Sequence, residues 1–178
     1  KQAEFRSTDE SLIIYVDAFE FGTEHSSLIK YVTQPKRGIY FIGWDDETRT
    51  SRRQIWTQGQ GRDNRHWIPS FDHPSDKLTT EMIVEFDADY FVLSNGVKLD
   101  EKEIGGGNKR WHYKMEHPHL NYLIMLTIGK YKPDLTKVGT LDFVNYYYPD
   151  LEDRNEYTYA YSKEIMEILQ KETGVDYP

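Results

Sequence analysis

Trp56-Thr57-Gln58-Gly59-Gln60-Gly61-Arg62-Asp63-Asn64-Arg65-His66-Trp67-Ile68-Pro69-Ser70-Phe71-Asp72-His73-Pro74-Ser75-Asp76-Lys77 is the stretch on which the reading of this chain turns. Pro69 and Pro74 fix the backbone of a loop. Arg65 and Asp72 are of the types that hold such a loop by charge-assisted hydrogen bonds. Gln58 and Gln60 stand at i and i+2, which puts both side chains on one face of an extended segment. A primary amide has two donors and an acceptor, so it can bind a peptide amine or carbonyl without carrying charge. On spacing alone the plainer reading of the two glutamines is better: polar residues on the surface of a loop.

Outward from this loop, most of the chain reads as strands. Leu12–Val16, Ser27–Val32 and Gly38–Gly43 precede it as short apolar or β-branched runs. Thr80–Phe86 and Tyr90–Leu93 follow. Ser94-Asn95-Gly96-Val97 is a hairpin signal, because Asn-Gly accepts the positive φ of a type I′ turn. Gly105-Gly106-Gly107-Asn108 reads as a loop. Trp111, Tyr113 and Met115 alternate with His112, Lys114 and Glu116, the pattern of a half-buried strand. Tyr122–Ile128 is more uniformly apolar, as for a strand covered on both faces, and Leu141–Tyr148 is a further strand. After Pro149 the period changes. Tyr157, Tyr161, Ile165, Ile168 and Leu169 fall on one helical face, with Asp153 or Asn155 as a candidate cap and Gly174 as the stop. A lone amphipathic helix after a run of strands suggests that a second domain begins there.

Composition narrows the function. The chain has 178 residues, the length of one domain or one domain plus a piece of another. With 38% hydrophobic and 15% aromatic residues it can build a core and is not a disordered segment. A net charge of -8 argues against general nucleic-acid binding and against an anionic membrane surface. It fits recognition of a cationic group such as a peptide amino terminus, but most acidic proteins are acidic only for solubility, and that plainer reading is the better one here. The chain has no cysteine, so disulfides and cysteine-ligated metal are excluded and the compartment, cytoplasmic or periplasmic, stays open. No apolar run approaches the ~20 residues of a membrane span, and Lys1–Phe5 has no signal-peptide pattern.

The opening stretch resembles the signature of the N-terminal domain of the zinc aminopeptidases of the aminopeptidase N type, a family that includes the leukotriene hydrolases. That signature runs Thr-Gln-x-Gln/Glu, then Arg-x-x-Phe/Tyr-Pro-Cys-x-Asp-x-Pro, then Lys. Ser70 stands where the family has cysteine and Ile68 where it has an aromatic residue; both changes are compatible with packing. Pro35–Phe41 is similar to the segment before the signature, Tyr122–Tyr131 to the last long strand of the family's saddle-shaped β domain, and Tyr157–Pro178 to the first helix of its thermolysin-like catalytic domain. The resemblance implies a mainly β fold, a saddle-like antiparallel sheet or sandwich with a C-terminal helix from the following domain. Residues 1–140 would be the β domain, shortened at its start, and residues 141–178 the beginning of the catalytic domain. It implies that Gln58 and Gln60 line the first substrate subsite, the second helping to hold the free α-amino group of a peptide. It implies zinc in the parent protein, and the rest of the catalytic domain as the partner of this segment. The family's His-Glu-x-x-His helix does not occur in this sequence. The expectation is therefore a segment without catalytic or metal-binding residues, inactive alone.

Other chemistry finds little support. His117-Pro118-His119, in what reads as a turn before a strand, and the pair His66 and His73 lack the three or four converging ligands of a zinc site. No Gly-x-Ser-x-Gly elbow is present, and the glycine run lacks the Lys-Ser/Thr of a phosphate loop. The alternatives to a peptidase segment are a non-catalytic β-sandwich binding module and a peptidase-like scaffold that has lost its zinc motif.

Overall fold

Every second side chain from Lys77 to Asp87 is exposed and every intervening one is half-buried. A period of two is a strand with one wet face, and much of the chain follows the same rule. The computed structural model describes residues 3–8, 11–16, 18 and 20–177. Among them the strands are β1 (Glu4–Ser7), β2 (Leu12–Tyr15), β3 (Ile39–Ile42), β4 (Gln54–Thr57), β5 (Lys77–Asp87), β6 (Phe91–Ser94), β7 (Val97–Gly105), β8 (Asn108–Leu120), β9 (Leu126–Gly129), β10 (Lys132–Val138) and β11 (Leu141–Tyr147). Two helices close the chain, α1 (Glu152–Tyr159) and α2 (Ser162–Thr173). All pairings are antiparallel, so the fold is mainly β with a helical C-terminal end. No helix among the described residues is long and apolar enough to cross a membrane.

Two sheets build the core. One has the order β3-β4-β9-β6 and the other β5-β8-β7. Ile39, Ile55, Val92, Leu126 and Ile128 of the first meet Trp111 and Tyr113 of the second in one buried cluster. Met82, Val84 and Phe86, the half-buried side of the β5 alternation, pack against it. Each fully buried aliphatic side chain contributes about 1.5–3 kcal/mol. Tyr113 also donates its hydroxyl to the Val92 carbonyl at 2.8 Å, a polar tie across the gap between the sheets. Its burial pushes the phenol upward from its usual range. Central β9 is buried on both faces, with Leu126 and Ile128 at 9% and 2% exposure and Gly129 also buried.

Several sequence expectations meet a different structure. Asn95-Gly96 is a turn, with Gly96 at φ 82°, but it does not close a hairpin. β6 pairs with β9 and β7 pairs with β8, so this turn carries the chain from one sheet to the other. A Cβ on Gly96 would lie 2.0 Å from the Lys114 carbonyl oxygen, so only glycine allows the crossing. The Asn95 amide takes the place of a strand neighbour, donating to Leu123 O at 3.0 Å and accepting from Met125 N at 2.6 Å. The tight hairpin is instead β7–β8, where Gly106 and Gly107 both have positive φ between paired Gly105 and Asn108.

Ser27–Val32 forms no strand; Leu28 and Val32 are 84% and 101% exposed, and no described strand lies alongside to pair with them. Tyr122–Ile128 is strand only from Leu126, because Asn121–Leu123 makes a 3-10 turn. His117 and Pro118 lie within β8 rather than in a turn before it. They fall where the β5–β8 register shifts between Leu78 and Thr80, a place that tolerates a residue without an N–H. The C-terminal stripe is divided between two helices, and Asp153 and Asn155 lie inside α1 rather than at its cap, because the 3-10 turn Pro149–Leu151 leads into it. Gly174 does end α2, in the left-handed conformation at φ 67°. Gly139 and Thr140 form the turn between β10 and β11, a hairpin that pairs along its whole length.

Candidate functional site

Thr57 ends β4 and its hydroxyl accepts the Leu126 N–H at 2.9 Å. One residue on, Gln58 N–H donates to Gly38 O at 2.9 Å, so the β3–β4 ladder runs into the signature loop. The loop then turns back through the 3-10 segment Asp63–His66, which delivers Asn64 to the interior. Asn64 has no exposed surface. Its Nδ2 donates to Asn121 O at 2.7 Å and to Ile124 O at 2.9 Å, and its Oδ1 accepts from Trp67 Nε1 at 2.9 Å. Both donors of the amide are used, as an entirely buried amide requires. These bonds join the loop to the β8–β9 connection, 57 and 60 residues further along the chain.

Glycine makes the fit possible. A Cβ on Gly59 would sit 2.4 Å from Asn64 Nδ2, and one on Gly38 would sit 2.1 Å from Asp63 O. Outside this knot Arg65 pairs with Asp72, whose other oxygen accepts from Asn121 Nδ2 at 3.2 Å. Arg65 and Asp72 thus hold the loop by charge-assisted hydrogen bonds, and Asp72 also ties it to the β8–β9 connection. Tyr31 adds an outer tie, donating to Trp67 O at 2.8 Å. Lys77 lies at the exposed start of β5. Asn64 is the residue that sequence reasoning passes over. No periodicity marks it, since a buried polar residue is recognised only by what surrounds it.

Gln58 and Gln60 emerge from the rigid side of this knot. Both are exposed, and Gln58 Nε2 approaches Gln60 Oε1 at 3.4 Å, so their carboxamides lie side by side on one face. Among the described residues no partner takes up Gln58 Oε1 or Gln60 Nε2. The pair therefore presents an outward acceptor and an outward donor, with the second lone pair of Gln60 Oε1 beside them. Such a neutral pair can bind an ammonium or an amide edge. It holds no nucleophile and no proton-transfer group.

The histidines do not assemble. His119 is 7% exposed; its Nδ1 faces Leu120 O at 3.1 Å and its Nε2 faces the Thr80 hydroxyl at 2.9 Å, so both ring nitrogens are occupied. His73 Nδ1 lies 2.6 Å from Ser75 Oγ, and His66 Nε2 lies 3.9 Å from Asp63 Oδ1. Among the described residues no three His, Asp or Glu side chains converge where a metal ion could sit.

Residues 2–123 match the Peptidase M1 N-terminal domain. Over 178 residues the chain is 26% identical to the Probable aminopeptidase 2 of Sulfurisphaera tokodaii, covering 99% of this chain and 22% of that protein. It is 24% identical over 157 residues to the Aminopeptidase N of Acetobacter pasteurianus, covering 86% of this chain and 44% of that protein. A third relative, the Aminopeptidase B of Mus musculus, is 30% identical over 92 residues, which are 52% of this chain and 14% of that protein. The chain thus spans less than half the length of these relatives.

Proposed function

This chain belongs to the Peptidase M1 N-terminal domain family, and we propose that it forms one wall of the substrate cavity of a zinc-dependent aminopeptidase that removes N-terminal residues from peptides. Gln58 and Gln60 bind the substrate there. The oxygens of the two carboxamides accept from its α-ammonium, and Gln60 Nε2 donates to a backbone carbonyl. One observation carries this reading: two carboxamides, side by side and exposed, on a loop that Asn64 and the Arg65–Asp72 pair hold rigid. Such preorganisation lets a bound ammonium gain its hydrogen bonds without ordering the loop.

The described residues supply no fitting ligand set for zinc, so the metal belongs to another part of the parent and no step of hydrolysis is assigned to side chains of this chain. In the same reading residues 1–140 are the β domain and residues 141–178 begin the catalytic domain, with the β10–β11 hairpin as the joint. The remainder of that domain is the partner of the exposed α2 stripe.

Gln60→Ala in the full-length parent tests the assignment. A lost hydrogen bond to a charged group is worth roughly 1.5–3 kcal/mol, so kcat/KM should fall about 10- to 150-fold with the melting temperature unchanged. Binding of an N-acetylated competitive ligand, which has no ammonium, should change little. A lowered melting temperature, or equal losses for both ligands, would give Gln60 a structural role instead.

A further inference from the structure

At the opposite end of β4 from the glutamines, roughly 13 Å away at ~3.3 Å per residue, the β3–β4 loop forms one side of an open cleft of about 460 Å³. Arg49, Arg52 and Arg53 line it from that loop and Lys130 from the turn after β9. Against these four cations Asp150 is the sole acidic residue lining the cleft, on a chain whose net charge is -8.

The cations are held in place by the fold. The guanidinium carbon of Arg52 lies 4.7 Å from the centre of the Tyr148 ring, that of Arg53 lies 5.4 Å from Trp44, and Lys130 Nζ lies 5.2 Å from Tyr90. Trp44 and Tyr90 pack on each other with ring centres 5.6 Å apart. The three charged groups therefore rest on aromatic faces that position them without neutralising them. Arg52 pairs with Asp150 and Lys130 Nζ lies 3.6 Å from Asp89 Oδ2. Among the described residues neither Arg49 nor Arg53 has a carboxylate partner.

The loop is also built. The Asp46 carboxylate accepts from Thr48 N at 3.0 Å, Thr50 Oγ1 at 3.2 Å and Ser51 N at 2.7 Å, and from the Thr48 hydroxyl. The bonds from Thr48 and then Ser51 hold its carboxyl well below the usual carboxylate range. Within this frame Arg49 stands at φ 55°, the one non-glycine residue with positive φ among those described. A left-handed arginine is disfavoured by roughly 1–2 kcal/mol and persists only where its surroundings over-determine it.

We propose that this cleft is a docking site for an acidic peptide segment, whose carboxylates engage the free guanidinium groups of Arg49 and Arg53. Guanidinium forks match carboxylates two bonds at a time. With Arg52 and Lys130 already beside Asp150 and Asp89, two guanidinium groups remain without a carboxylate; together they call for more than one carboxylate, and an open cleft suits a chain bearing them better than a single small anion. This site is separate from the glutamine pair, and its failure would leave the proposed role of that pair standing.

The test uses the 178-residue chain in low salt. Acetyl-hexaglutamate-amide, acetyl-hexaglutamine-amide and inorganic phosphate are titrated while backbone amide shifts are followed by NMR. The glutamate peptide should bind saturably, with shifts centred on Ser51, Tyr90 and Lys130, and the glutamine peptide should not. The double variant Arg49→Ala/Arg53→Ala should weaken the glutamate peptide roughly tenfold. Lys163→Ala/Lys171→Ala on α2, with the same change in net charge, should leave it within about twofold. The proposal is overturned by equal binding of the two peptides, by equal weakening by the two double variants, or by phosphate alone reproducing the shifts at the same concentration. A concentration-dependent dimer dissolved by Arg49→Ala/Arg53→Ala would also overturn it, by making the occupant a second copy of this acidic chain.

Discussion

Asn64 has no exposed surface and spends its entire amide within the chain, whereas no residue of α2 is buried. Tyr161, just before that helix, and Ile165, Ile168 and Leu169 on it are 72%, 55%, 57% and 54% exposed. Both regions stand out in the sequence, one as a motif and one as an apolar stripe, and they end in opposite environments. A polar side chain gains from burial only when each of its groups finds a partner of its own. An apolar stripe gains in proportion to the area that something covers. The first condition is met inside this chain; the second needs a larger surface than β10 and β11 offer.

The largest effect expected from this contrast is that of Asn64→Ala. It strands the Trp67 indole N–H and the Ile124 carbonyl and leaves the Asn121 carbonyl with one bond fewer. Stranded buried polar groups cost about 1–3 kcal/mol each, so a total near 3 kcal/mol is expected. In a chain of this size that lowers the melting temperature by about 6–12 °C. A fall of under about 2 °C would show that the loop is not anchored by this amide.

Gly59→Ala sharpens the same point. Gly59 has an ordinary backbone, so only space is at issue. The new methyl would lie 2.4 to 2.6 Å from the Asn64 amide atoms and must push them off their partners. Such overpacking costs typically about 1–3 kcal/mol. In the Asn64→Ala background the obstruction is gone, and Gly59→Ala should there cost under about 0.5 kcal/mol. That non-additivity, read from a four-protein melting series, is the signature of direct contact; additive losses would separate the two residues.

Much of this is visible in the sequence, for definite reasons. The strand Trp111, Tyr113, Met115 is readable because β8 has one face on the core and one in water. Gly174 is readable because only a residue without a Cβ stops a helix at φ 67° at little cost. Arg65 and Asp72 are readable because opposite charges in a proline-flanked loop have few other partners. What is hidden depends on distant chain. Whether Asn95-Gly96 closes a hairpin is decided by which strand lies next to β6, and that strand is β9, over thirty positions away. Ser27–Val32 has strand composition, yet a strand exists only with a neighbour to pair with. Asn64 reads as one more polar loop residue until the carbonyls of Asn121 and Ile124 are placed beside it. The glutamine pair is intermediate: spacing places both on one face, but only the anchored loop makes that face rigid.

The smallest effect expected is on α2, and it breaks the comparison if it is not small. Ile165→Ala and Ile168→Ala each remove a side chain that is already more than half exposed. Partial burial returns only a fraction of the usual 2–5 kcal/mol for a core isoleucine, so each should cost under about 1 kcal/mol in this chain. Few contacts also mean easy local opening, so the amides of α2 should exchange with solvent far faster than those of β8 and β9. Under the proposal that residues 141–178 begin a catalytic domain, that domain should cover the same stripe, slow the exchange and raise the cost of Ile168→Ala into the core range. A demonstrated monomer of this chain whose α2 amides are as protected as those of β9 would contradict the contrast. The helix would then be stabilised by its own sheet, and its stripe would need no partner from elsewhere.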